Sequence, residues 1–196
     1  MSMRLSMSAR SLRVLPWLMG VLCLAGLVHI ASILAMPRLA PRNAYLRLEE
    51  RTPLGRLSVL DPITAQDQIA PFEDPAMAMG ICRYDLTRGP LRVRGRFEPN
   101  QLTLLSLHDR FGEVFHSMSE RSAIKGALDL IILTPAQLAS LEAYDREDEL
   151  PSELRVTAPS PKGFVLLRAF APQAGDVPLA QERLRTIACG GEPMGR

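Results

Sequence analysis

Three arginines at alternate positions, Arg92, Arg94 and Arg96, make the sharpest chemical pattern in the chain. They lie in Leu91-Arg92-Val93-Arg94-Gly95-Arg96-Phe97, where strand alternation puts the guanidiniums on one face and Leu91, Val93 and Phe97 on the other. Spaced ~7 Å apart, they form a cationic strip able to grip an anionic glycan, a phosphate or a lipid headgroup through bidentate bonds. The competing reading is a solvated sheet face whose arginines pair with acids on a neighbouring strand, with Glu98, Asp85 and Glu113 as partners.

His108, Asp109 and His116 raise the question of a metal, and hairpin register decides it. A four-residue loop over 109–112 turns the two histidines to opposite faces, whereas a three-residue loop over 110–112, with Gly112 left-handed at a bulge, puts both on one face. Asp109 and Gly112 are also ordinary turn residues, so no metal site and no cofactor are expected. Should His108, Asp109 and Arg110 line a deep pocket, His108 becomes the candidate acid or base. No Gly-x-Ser-x-Gly elbow, His-Glu-x-x-His helix or Gly-rich phosphate loop is present. The acids Asp145, Glu147, Asp148 and Glu149 read as a solvated loop rather than a catalytic carboxylate pair.

The chain has three cysteines. Cys23 lies in an apolar run, which leaves Cys82 and Cys189 with one possible connectivity. A bridge closing a loop of ~100 residues is worth up to about 4.7 kcal/mol in the chain-entropy model and would fasten the terminal helix to a sheet. The alternative is two separately buried free thiols.

The elements that position these residues are mostly strands. Period-two segments at 80–86, 91–97, 102–108, 113–118 and 127–133, and again at 154–157 and 164–171, are separated by turns rich in Gly, Pro, Asn and Asp. They predict an α+β domain, mainly β, built as an antiparallel sandwich with a few helices. Thr134-Pro135 opens a helix to about residue 144, and a last helix over 177–188 carries Val177, Ala180, Leu184, Ile187 and Ala188 on one face, closed by Gly190-Gly191. Residues 37–51 predict a juxtamembrane helix stopped by Pro53, and 52–75 a Pro-rich connector with at most a short strand at 57–60.

Arg4, Arg10 and Arg13 are the only charged side chains before Arg38, and Val14–Met36 carries none. Its 23 residues span about 35 Å as a helix, enough to cross a bilayer once. It is too long for a typical cleaved signal core, which is the competing reading. Basic residues ahead of the span predict an inside amino terminus. The expected order is a cytoplasmic 1–13, a transmembrane 14–36, a connector 37–75 and a periplasmic β-rich domain 76–196, held at a bacterial inner membrane. Pro16 is expected in the first helical turn, where its missing N–H is harmless. His29, an ionisable residue inside the span, and the small pair Ala31 and Ala35 are candidates for contact with another helix.

The run Arg42-Asn43-Ala44-Tyr45 after the span, then Phe72-Glu73-Asp74-Pro75-Ala76, Cys82-Arg83-Tyr84-Asp85-Leu86 and Ser106-Leu107-His108-Asp109-Arg110 resembles the domain of unknown function 1254, in its short, membrane-anchored bacterial branch. Gly112 with Val114-Phe115, and residues 128–133 running into Thr134-Pro135-Ala136-Gln137, extend that resemblance over most of the chain. It implies a β-rich envelope domain of unassigned activity, which longer relatives join to a second domain, number 1214. It brings no catalytic residues with it.

With 47% apolar residues, and 23 basic against 21 acidic side chains, the chain is neither disordered nor a globally basic nucleic-acid binder. The resemblance to a family with fused relatives, together with His29 and the Ala31 and Ala35 face, implies a non-catalytic scaffold or binding partner, associated with the bilayer and with a sister envelope protein resembling domain 1214. A periplasmic enzyme and an anionic-glycan or lipid-binding module are the alternatives.

Overall fold

Alternating apolar positions build two facing sheets. The strands are β1 (Leu57–Val59), β2 (Met77–Asp85), β3 (Leu91–Arg96), β4 (Thr103–Asp109), β5 (Val114–Ser119), β6 (Ala127–Leu133), β7 (Leu154–Thr157), β8 (Lys162–Phe170) and β9 (Ala188–Gly191). The helices are α1 (Ala9–Leu39), α2 (Ala44–Glu49), α3 (Pro135–Glu142) and α4 (Val177–Arg185). The structure, a computed structural model, describes residues 9–39, 43–62, 74–123, 126–143 and 153–192. Arg4, Arg42, Asp67, Pro71, Phe72, Glu73, Lys125 and the acids of 145–149 lie outside the described residues.

The chain divides into two compact units, Met1–Pro41 and Arg42–Arg196. In the first, Val14–Met36 is a helix long and apolar enough to cross a membrane by length and composition. The helix already exists at Ala9 and runs through Pro37 to Leu39, so Pro16 stands in its interior rather than in its first turn. It forfeits one backbone hydrogen bond there.

The second unit is mixed α+β and mainly β, as expected. One sheet runs β1-β2-β8-β4-β5 and the other β7-β6-β3-β9. Inward residues of both, among them Cys82, Tyr84, Val93, Leu107, Leu130 and Val165, form one apolar core. Ala180 and Leu184 of α4, with Ile187 after it, enter the same core, which gives the short amphipathic helix its reason to dock. Thr134 and Gln137 cap α3 reciprocally, so this helix starts where Thr-Pro predicts.

Three features depart from the sequence reading. β6 and β7 pair in parallel, because α3 carries the chain back across the sheet before β7 begins; the sandwich is not wholly antiparallel. The helix expected over 37–51 is instead Ala44–Glu49, with Leu48 packed on Ile81 and Phe164, while the short strand expected at 57–60 is present as β1, paired with β2. The terminal helix ends at Arg185, and Ala188–Gly191 is an edge strand on β3, with Cys189 opposite Val93. Gly190 and Gly191 therefore belong to a strand and do not close a helix.

Cys82 on β2 and Cys189 on β9 are joined by a disulfide, with Cα atoms 6.6 Å apart. Because the two strands belong to opposite sheets, the bridge crosses the core. It ties sheet to sheet rather than helix to sheet.

Candidate functional site

The arginine strip stands on the outer face of β3, opposite the buried Leu91 and Val93. Its chemistry is divided. Arg92 donates through Nε and a terminal nitrogen to the two carboxylate oxygens of Asp129, 2.8 Å each, and also faces Glu153 at 3.6 Å and Glu192 at 3.4 Å. Arg94 adds a contact of 3.3 Å to Asp129, its cross-strand partner. The partners are thus Asp129, Glu153 and Glu192, and not Glu98, Asp85 or Glu113. Asp129 sits opposite Arg94 because β6, not β2, is the neighbour of β3, and Glu192 follows the unforeseen β9.

The hydrogen bond from Arg92 holds the Asp129 carboxyl below its usual range, against a smaller opposing effect of burial. A depressed carboxylate stabilises the fold above its unfolded value near ~3.9, and that contribution is lost as pH falls through the lower folded value. Asp129→Asn is expected to cost about 1–2 kcal/mol at neutral pH. Chemical denaturation measured from neutral into acid conditions should show the wild-type advantage shrinking as Asp129 is protonated; a constant advantage would contradict it.

Arg96 differs from its two neighbours. It is exposed, makes no ion pair among the described residues, and lines a cleft of about 1240 Å³. That cleft is built by the β3–β4 turn, the 3-10 turn Glu120–Ser122 after β5, and the end of α4. Asn100 makes the turn possible with φ of 65°, a left-handed conformation that Asn tolerates better than most side chains. Apolar Phe97, Pro99, Leu102 and Ile187 share the lining with Arg121, Arg183, Glu98 and Glu120. Glu120 accepts from the Thr103 backbone N–H at 3.3 Å and faces Arg121 at 3.8 Å. Arg183 donates to the Gln101 side chain and to the Phe170 carbonyl, the latter at 2.9 Å, while its buried Nε has no partner. Among the described residues Arg96 is therefore the guanidinium of the strip without an ion pair, and apolar side chains share its cleft. The cleft residues beyond Thr103 come from distant parts of the chain, and no local motif marked them as a site.

The histidines do not converge. The β4–β5 loop is the three-residue one, with Gly112 at φ 96° and the Asp109 N–H donating to the Glu113 carbonyl at 3.0 Å. A further bulge beside Leu107 and His108 then shifts the register, so His116 lies opposite Leu107 and His108 opposite Val114. That second irregularity restores opposite faces. Among the described residues no group of three or more His, Cys, Asp or Glu is placed to hold a metal.

His108 instead packs flat on Phe164, ring centroids 4.7 Å apart. Its Nδ1 donates to the Gly112 carbonyl at 2.9 Å, which leaves Nε2 to accept from the Ser106 hydroxyl at 2.8 Å. Burial lowers its pKa below the ordinary imidazole value, opposed in part by the Gly112 carbonyl. A serine beside a histidine is the arrangement of an activated nucleophile, and the sequence reading missed this pair. Ser106 is only 4% exposed, however, and neither residue lines the described clefts. The pair fastens the hairpin to the sheet. Asp109, also buried, accepts from the Phe111 and Glu113 N–H groups and shapes the turn.

On α1, Ala31 and Ala35 line a shallow apolar groove with Leu27, Val28, Ser32, Met36 and Leu39. His29 is about 200° round the helix from Ala31, so it does not share that face.

A search of curated proteins finds no match. Among solved structures, the VPA0106 protein from Vibrio parahaemolyticus is similar with a TM-score of 0.51 at 15% identity, over 78% of this chain and 38% of its own. An uncharacterized protein from Burkholderia cenocepacia is similar with a TM-score of 0.43 at 16% identity, over 61% of this chain and 32% of its own. The chain thus spans less than half the length of either, and the first likeness shows a shared sandwich fold alone. A family model described as "Protein of unknown function (DUF1254)" matches residues 56–190, more than half of the sequence, and the chain belongs to that family.

Proposed function

We propose that this protein is a non-catalytic binding module of the bacterial envelope, anchored in the inner membrane by Val14–Met36 with residues 42–196 in the periplasm. In this reading its cleft receives an acidic segment of a sister envelope protein, of the kind that carries domain 1214. Arg96 is the observation that carries it. A guanidinium without a carboxylate partner among the described residues, lining a cleft beside Phe97, Pro99 and Leu102, suits a segment that presents a carboxylate next to an apolar side chain. The buried disulfide supports an oxidising compartment. The cleft's charged groups are guanidiniums and carboxylates that hold and orient, while the Ser106–His108 pair, whose chemistry could activate a nucleophile, is packed away from it.

The site can be tested in the native host with a photo-crosslinking amino acid in place of Glu98, which is exposed and lines the cleft. A discrete adduct with one envelope protein is expected, reduced about tenfold when Arg96→Glu is added, since reversing a rim charge turns attraction into repulsion. An adduct indifferent to Arg96→Glu would move the contact away from this cleft. Release by rising salt of a glycan or lipid, with no protein adduct, would favour the anionic-ligand alternative.

A further inference from the structure

A second polar pocket, about 310 Å³, lies on the opposite sheet from the arginine strip, between α2 and the β4–β5 hairpin. Four cations line it, Arg83, Arg88, Arg110 and Lys162, against two carboxylates, Glu49 and Asp85. The carboxylates are already committed: Glu49 faces Arg83 at 3.4 Å and Asp85 faces Lys162 at 3.6 Å. Asp85 also accepts from the Thr87 hydroxyl and N–H, which helps hold its carboxyl below the usual range. What remains is the charge of Arg88 and Arg110. Both are exposed, and neither has an ion-pair partner among the described residues. Arg83 is 4% exposed, stacks over the Tyr45 ring at 4.8 Å, and donates through Nε to the Thr52 carbonyl at 3.0 Å; the terminal nitrogen that faces Glu49 is buried and makes no hydrogen bond among the described residues.

The pocket's place in the chain identifies the occupant. Its wall includes Asn43, Tyr45 and Leu46, and Asn43 follows Leu39, the end of the apolar helix, by four residues. The Tyr45 N–H donates to the Arg110 carbonyl at 3.1 Å, so the first turn of α2 and the hairpin that carries Arg110 are joined directly. Leu46 adds an exposed apolar side chain, suited to the boundary between headgroups and acyl chains.

We propose that the Arg88, Arg110 and Arg83 pocket docks the phosphate of an anionic phospholipid headgroup in the bilayer that α1 enters, and so orients the soluble unit on the membrane. The inference rests on α1 spanning that bilayer and is independent of the cleft at Arg96. A phosphodiester offers the paired oxygens that a guanidinium fork matches, and each cation near an anionic surface gains measurably from it.

The test uses the full chain in nanodiscs of phosphatidylcholine alone or mixed with phosphatidylglycerol, followed by hydrogen exchange. Exchange at α2 and at the hairpin around Arg110 is expected to slow on the order of tenfold in the anionic discs, and the double variant Arg88→Gln with Arg110→Gln should lose that slowing while exchange in β2 and β8 stays unchanged. Equal exchange in both discs, or slowing retained in the double variant, would overturn the proposal. The same slowing produced in phosphatidylcholine discs by inorganic phosphate alone would make this a free-anion site and overturn headgroup docking. Co-elution of chain and disc reports the insertion of α1 separately, and a chain that does not co-elute removes the premise along with the proposal.

Discussion

Replacing Cys82 and Cys189 together by alanine is expected to lower the unfolding free energy of the second unit, residues 42–196, by roughly 4 kcal/mol, the largest effect we foresee for a conservative change. The bridge closes a loop with a sequence separation of 107 residues, for which the chain-entropy model gives about 4.7 kcal/mol, reduced by whatever structure the unfolded chain retains. The packing around it argues in the same direction. β9 has four residues, two of them glycine, and pairs with β3 alone within its sheet. Little besides the disulfide and the ladder to β3 holds this edge. Urea denaturation of the oxidised protein, the reduced protein and the double variant should give a high midpoint for the first and two similar low midpoints for the others. Superimposable curves would show that the bridge contributes nothing and that packing alone retains β9.

Gly163→Ala is expected to be almost as damaging, at about 3 kcal/mol or more. Gly163 pairs with Tyr84 on one side and Asp109 on the other, at the centre of the five-stranded sheet. A Cβ there would fall on the His108 carbonyl oxygen and the Tyr84 hydroxyl, and within 2.6 Å of the ring carbon that bears that hydroxyl. None of these atoms is the loose end of a flexible chain. Tyr84 is 1% exposed and its hydroxyl donates to that same carbonyl at 3.1 Å. Relief would require displacing one of the strands flanking β8. Gly175→Ala is the control, since nothing lies within 4 Å of its added Cβ, and it should change stability by less than about 0.5 kcal/mol. Comparable midpoints for the two variants would contradict the packing described for this sheet.

Much of the sandwich was legible because local pattern and tertiary role agree. Residues 127–133 and 154–157 form strands over the ranges their alternation predicts, and Thr134 with Gln137 announces α3 through its cap. β9 was not legible: Ala-Cys-Gly-Gly has no strand preference of its own, and only pairing with Val93 and its neighbours makes it extended. The same cause hid the partners of Arg92, since Asp129 and Glu192 reach it only through the β6-β3-β9 order. Residues 37–51 read as a juxtamembrane helix and 52–75 as a connector because their charges and the prolines from Pro53 onward are those of a surface segment; Tyr45 and Leu48 are buried by the sheet they meet, which no local window contains. The histidine faces turned on two compensating irregularities in one hairpin, of which the Gly112 turn was foreseen and the bulge at Leu107 and His108 was not. The cleft at Arg96 is assembled from residues up to 91 positions apart, Arg96 to Ile187, so sequence reading found its first arginine and not the site.

Recovery of the intact chain from its native membrane in mild detergent, beside its Arg96→Glu variant, tests the binding-module account most directly. The account predicts one envelope protein in constant proportion to the wild-type chain and its loss from the variant, with both chains equally folded and equally retained by the membrane before extraction. Wild-type chain recovered alone, or a partner kept undiminished by Arg96→Glu, would contradict it.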